Sequence, residues 1–173
     1  MVTQQRKSVV PDFQTVLLPL LRLAADGKEH SLSEALEKLA QTFSLDQSAL
    51  SQLLPSGRQR TFDSRVGWAK TYLTKAGLIE STGRARFRIT QRGLELLRTN
   101  PSTLNVSVLR RFPEFREFYQ GTRGQRDEHA QEELSNEGAA TPEELIESSY
   151  QALQRALAQD LLERVKQAPP RFF

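Results

Sequence analysis

Among its 173 residues the chain has no cysteine, two histidines, one methionine and one tryptophan. Without cysteine there is no disulfide, iron–sulfur cluster, thiolate zinc site or cysteine nucleophile. His30 and His129 lie far apart, so a multi-histidine metal site is excluded too. No apolar run approaches the roughly 18 residues that span a bilayer. The longest, Val16 to Leu21, contains Pro19 and is followed by Arg22. The first eleven residues are polar and offer no signal-peptide core. These absences lead us to expect a cytoplasmic protein with no membrane partner. Aromatic residues are 8% and apolar residues 38% of the chain, enough for a core that does not enlist every segment.

Charge is present in quantity, and it is segregated. The net charge is only +3. From Pro55 to Thr99, however, ten basic residues face three acidic ones, a net +7. From Pro113 to Glu147 the ratio reverses, a net −7. A basic block followed by an acidic one suggests a polyanion-binding module and a separate solvated segment.

Periodicity supplies the elements. Phe13, Leu17, Leu20, Leu21 and Ala24 form a helical stripe; Pro19 within it implies a kink or a start near Leu18. Lys28 to His30 fits a very short strand. Ser31 and Glu34 make a capping box for a second helix, and Asp46 caps a third, short one ended by Pro55-Ser56-Gly57. A longer helix is expected from Arg58 to Ala76, with Phe62, Val66, Ala69 and Leu73 on its core face and Gly77 as its stop. Leu78 to Ser81 reads as a strand, Thr82-Gly83-Arg84 as a turn, and Ala85 to Ile89 as the returning strand. Thr90 caps a further helix through Arg98. Helix, short strand, two helices, hairpin and helix is the layout of a winged helix-turn-helix. The expected fold class is therefore mainly α with a small β-hairpin, then an acidic linker and a long C-terminal helix from Thr141.

The long helix is the candidate recognition helix. Ser64, Gly67 and Thr71 lie opposite its core face, and Arg58, Gln59, Arg60 and Arg65 crowd its start. Arginine pairs with guanine and glutamine with adenine in the major groove. Arg84, Arg86 and Arg88 form the candidate wing; three exposed arginines on one strand repel one another unless an anion such as phosphate lies between them. The bland alternative is an edge strand guarded by charge. Lys70 and Arg92 add two cations. Trp68 and Tyr72 are candidates for stacking on a base, although packing within the domain explains them more simply. A general-base role for His30 is weaker than a structural one. Asp160, Glu163 and Lys166 share one helix with no sheet to hold a nuclease centre, so no catalytic constellation, metal or small-molecule site is expected in this chain.

Pro11-Asp12-Phe13, Leu54 to Arg60, Arg65 to Leu73, Lys75 to Leu78, Phe87 to Thr90 with Arg92-Gly93, and Phe112 to Phe115 occur in an order that resembles the N-terminal domain of Mrr-type, modification-dependent restriction endonucleases. The resemblance covers about Pro11 to Phe118. It implies a winged-helix domain that binds double-stranded DNA in a prokaryotic defence protein. The DNA contacts it carries over are Arg58, Gln59, Arg60, Ser64, Arg65 and Lys70, with Arg84, Arg86 and Arg88 on the wing; Thr71 on the helix and Arg92 just after the wing are further candidate contacts read from the residues. Family members cut methylated DNA with a metal-dependent nuclease domain of the PD-(D/E)xK type, which would need magnesium. No position here matches those catalytic residues. The resulting division is a flexible N-terminus (1–10), the winged-helix domain (11–118), a flexible acidic linker (119–140), a C-terminal helix (141–168) and the start of a missing downstream domain (169–173), as in a fragment of a longer enzyme. The C-terminal stripe of Ile146, Tyr150, Leu153, Leu157, Leu161 and Val165 would form a homodimer seam or meet the nuclease domain. The alternatives are a dimeric winged-helix transcriptional regulator and a protein-interaction module that leaves DNA alone.

Overall fold

The computed structural model describes residues 9–123 and 140–167. The expectations for most of the N-terminal and linker segments, for His129 and for 169–173 fall outside them. The chain divides into two compact units, Met1–Thr141 and Pro142–Phe173.

The first unit is mainly helical with a small antiparallel sheet, a winged-helix-like arrangement. Helix α1 (Phe13–Leu23) starts where Asp12 accepts a hydrogen bond from the Thr15 amide at 2.9 Å. It therefore begins ahead of Leu18, with Pro19 inside it. Phe13, Val16 and Leu17 are buried, and this burial outweighs the ladder bond that proline cannot make. A single tight turn ends at Gly27 in the left-handed conformation, φ 72°. Strand β1 (His30–Ser31) leads into α2 (Leu32–Thr42), capped by Ser31, and α3 (Gln47–Leu50) follows, capped by Asp46.

Helix α4 (Thr61–Lys75) is central, lying against α1, α2, α3 and a later helix over Pro113–Arg123. Strands β2 (Ile79–Gly83) and β3 (Arg86–Ile89) form the hairpin, and β1 pairs with the outer edge of β3, giving the order β1-β3-β2. His30 pairs with Phe87, and Ile79 with Ile89. Phe87 and Ile89 point to the core while Arg86 and Arg88 point out, the alternation expected from their period of two. Helix α5 (Gln91–Arg98) begins at Thr90, whose hydroxyl donates to the Gly77 carbonyl at 2.6 Å. Gly93 brings α5 onto the sheet: a Cβ there would lie 2.2 Å from the Leu78 carbonyl oxygen.

The apolar segment after Asn100 forms two helices, α6 (Val106–Leu109), capped by Asn105, and α7 (Pro113–Arg123). Leu104, Leu109 and Phe115 are buried in the same core as α1 and α4. Helix α7 thus continues past Phe118, the boundary expected for the domain. The second unit contains α8 (Pro142–Gln167), on which Ile146, Tyr150, Leu153, Leu157, Leu161, Leu162 and Val165 are exposed.

Two ion pairs hold peripheral elements. Glu29 meets Arg86 at 2.6 Å, and Glu114 takes a two-pronged contact from Arg92, 3.1 Å on each arm. Hydrogen bonds from Thr82 and Arg86 hold the Glu29 carboxyl below its usual range. The Arg92 guanidinium does the same for Glu114. A lowered carboxyl pKa stabilises the fold above the unfolded-state value and ceases to do so as pH falls through the folded one. The melting temperature is therefore expected to be level near neutrality and to drop modestly in acid, because both pairs are solvent-exposed. Glu114→Gln should flatten part of that acid limb. An unchanged limb in thermal denaturation across pH would show that the Arg92 pair carries no stability.

Candidate nucleic-acid interface

Three consecutive pieces of chain carry the basic residues: the loop entering α4, α4 itself and the hairpin that leaves it. The loop is not the first turn of the helix, as expected from Arg58 onward. Helix α4 starts at Thr61, and residues 52–61 fold back on themselves. The Leu54 amide donates to the Gln59 carbonyl at 2.9 Å, and the Thr61 amide to the Gln52 carbonyl at 2.8 Å. Leu53 and Arg60 form a β-bridge, and Gly57 turns the tip at φ 71°. Buried Leu54 anchors this loop, while Arg58, Gln59 and Arg60 are exposed. Their position directly before α4 adds side-chain charge to the positive end of the helix.

Helix α4 is more enclosed than its sequence pattern implies. Only Lys75 is fully exposed; Asp63, Gly67, Lys70, Thr71 and Thr74 form a half-buried strip. Ser64 was expected on the DNA side, but it is 2% exposed and faces inward. The packing of α1, α2, α3 and α7 around α4 reaches that flank. Arg65 is committed elsewhere: its guanidinium donates to the carbonyls of Val10 and Pro11 at 3.0 and 2.9 Å. It fastens the chain that enters α1. Tyr72 is 5% exposed. Its ring meets Phe13, Trp68, Phe115 and Phe118 edge-on, with centroids 5.2 to 6.1 Å away. Enclosed in this way, Tyr72 has no open face for a base, and its contacts are those of a core aromatic. Trp68 is half-buried beside it.

Gly67 differs from Gly93. A Cβ at Gly67 would meet nothing within 4 Å. Glycine inside a helix costs about 0.5–1 kcal/mol relative to alanine, and no packing or backbone requirement of the fold offsets that cost here.

The wing arginines have carboxylates of their own. Arg86 pairs with Glu29, and the Arg88 Nε lies 3.1 Å from Glu80. The expected repulsion between bare arginines is thus relieved inside the domain. The hairpin register could have revealed the second pair, since Glu80 and Arg88 lie opposite each other across the turn. Arg92 holds Glu114 and the Ala76 carbonyl and lies over the Phe112 ring, so it joins α5, α4 and α7. Arg84 is different: it stands exposed in the two-residue turn, without a partner among the described residues. Next to it Ala85 is held at φ 58°, and its carbonyl accepts the Leu32 amide at 2.8 Å, tying the turn to the start of α2.

His30 is buried, with Nε2 2.8 Å from Asp26 and Nδ1 3.4 Å from Glu34. Hydrogen bonding to His30 and the Lys28 amide lowers the Asp26 pKa. The imidazole lies at the foot of the sheet, beside Phe87, in a structural position. Among the described residues no three His, Asp or Glu gather as a metal set. No helix among them is long and apolar enough to cross a membrane.

The family model of the Mrr N-terminal domain matches residues 13–99. A type IV methyl-directed restriction enzyme of Escherichia coli strain K12, EcoKMrr, is 25% identical over 178 residues, covering 95% of this chain and 56% of the relative. The chain thus spans about half the length of that curated relative. No solved structure matches.

Proposed function

This chain belongs to the Mrr N-terminal domain family, and from that premise we propose that it is the DNA-binding, target-recognition part of a restriction enzyme acting on foreign or methylated DNA. The observation that carries the reading is the set Arg58, Arg60, Lys70 and Arg84. These four cations have no intramolecular partner among the described residues, and they sit on the loop, helix and turn that a winged-helix domain presents to DNA. Gln59 and Thr71 lie among them as candidates for base contacts. Arg86 and Arg88 reach phosphate by exchanging their carboxylates for it. Cleavage would belong to a nuclease domain of the full-length enzyme, acting in the cytoplasm.

The exposed apolar row on α8 supports a homodimer, since a two-fold reader suits a symmetric site. The same row supports a second reading, a dimeric transcriptional regulator.

The test is fluorescence anisotropy on matched methylated and unmethylated duplexes over a range of salt, with sedimentation velocity on the same sample. Four phosphate contacts imply a log–log salt slope of about −4. Tighter binding to the methylated duplex would locate modification sensing in this domain. Equal binding would make it a general anchor, and a flat salt response would remove the DNA reading.

A further inference from the structure

We propose that Gly67 is the point at which α4 makes its closest approach to DNA, and that its missing side chain sets how deeply the helix seats in the major groove. The inference rests on the DNA-binding reading above. Among the other described glycines, Gly27, Gly57 and Gly77 adopt positive φ, Gly93 would drive a Cβ into the Leu78 carbonyl, Gly83 lies at the hairpin turn, and Gly121 is exposed in the last turn of α7, so Gly67 is the one in the middle of a helix with neither reason. Gly67 has neither a positive φ nor a neighbour in the way. Its residue type is unexplained by anything inside the domain, and the space above it is open.

Its surroundings keep that space low. The Thr71 hydroxyl donates to the Gly67 carbonyl at 3.1 Å, and the Thr74 hydroxyl to the Lys70 carbonyl at 2.8 Å. Both side chains are thereby folded back on the helix instead of standing away from it. Asp63, Gly67, Lys70, Thr71 and Thr74 form one half-buried strip along α4, on which no residue is fully enclosed. Lys70, one turn on, has no partner among the described residues and is placed to meet a phosphate at the groove edge. A B-form major groove admits an α-helix, and base edges come within reach only when the backbone can descend into it.

The experiment pairs Gly67→Ala and Gly67→Leu with the native chain, reading affinity for a mixed-sequence DNA duplex by anisotropy and the melting temperature by circular dichroism. Alanine is a better helix former and meets open space, so the melting temperature should stay level or rise. Affinity should fall by about tenfold for alanine, on the scale of one lost base contact, and further for leucine. Native-like affinity in both variants would overturn the proposal while leaving the DNA reading intact. Lost affinity together with a lower melting temperature would assign the glycine to the fold and overturn it as well. Failure of the native chain to bind the duplex would remove the DNA reading and this inference with it.

Discussion

Replacing Arg58, Arg60 and Arg84 together by alanine is expected to weaken duplex binding about a hundredfold, taking roughly 1 kcal/mol for each lost charge-assisted contact. The salt slope should become shallower by about 2.7, at 0.9 for each phosphate contact removed. The melting temperature should hardly move, because these three side chains are exposed and support no other group. That combination separates them from the other arginines of the basic block. Arg65 secures two carbonyls of the entering chain, and Arg92 joins three helices. Their alanine variants should lose stability along with affinity. If the triple variant keeps the native salt slope in anisotropy titrations, the interface lies elsewhere on the domain.

Phe115→Ala is the substitution expected to damage the fold most, by about 3–5 kcal/mol, as for other fully buried phenylalanines. Phe115 is 0% exposed, with ring centroids 5.2 Å from Tyr72, 6.1 Å from Phe118 and 5.7 Å from Tyr119. It carries α7 onto the flank of α4 that is turned away from the half-buried strip. Removing the ring leaves a void next to Tyr72 and unseats Phe118. A fall in melting temperature on the order of 10 °C or more should be seen by circular dichroism. A loss below about 1 kcal/mol would mean that α7 is an appendage and not part of the core. The point bears on where the folding unit ends. The family match stops at residue 99, whereas Leu104, Leu109 and Phe115 complete the core beyond it.

Most of the element order could be read from local signals. Ser31, Asp46 and Thr90 cap helices as their side chains suggest, and Phe87 and Ile89 alternate inward against Arg86 and Arg88. These depend on residues close in sequence. What escaped depends on distant ones. Ser64 sits on the polar side of an isolated α4, yet the helices around α4 bury it. Tyr72 follows the simpler of its two readings, packing within the domain, but of the rings that enclose it Phe13 and Phe115 are distant in sequence. Arg65 is directed by Val10 and Pro11, and Arg86 by Glu29, partners that no helical wheel contains. Arg58 to Arg60 fit the helical period of α4, but backbone pairing with residues 52–54 draws them into a loop.

Under the proposed DNA-binding role, that loop would serve as an exchangeable reading head. Its shape rests on main-chain bonds between residues 52, 54, 57, 59 and 61 and on the Ser56 hydroxyl, which accepts the Arg58 amide at 3.4 Å. Among the described residues, the side chains of Arg58 and Gln59 take no part in holding it. A pre-shaped loop loses little conformational freedom on docking, so more of each contact appears as affinity. It also means that Arg58 and Gln59, the two side chains proposed to contact DNA, can be swapped without refolding their support. Any target preference set by these side chains would thereby be uncoupled from fold stability at this tip, whereas changing the number of residues in the loop would break the bridge that keeps it in place.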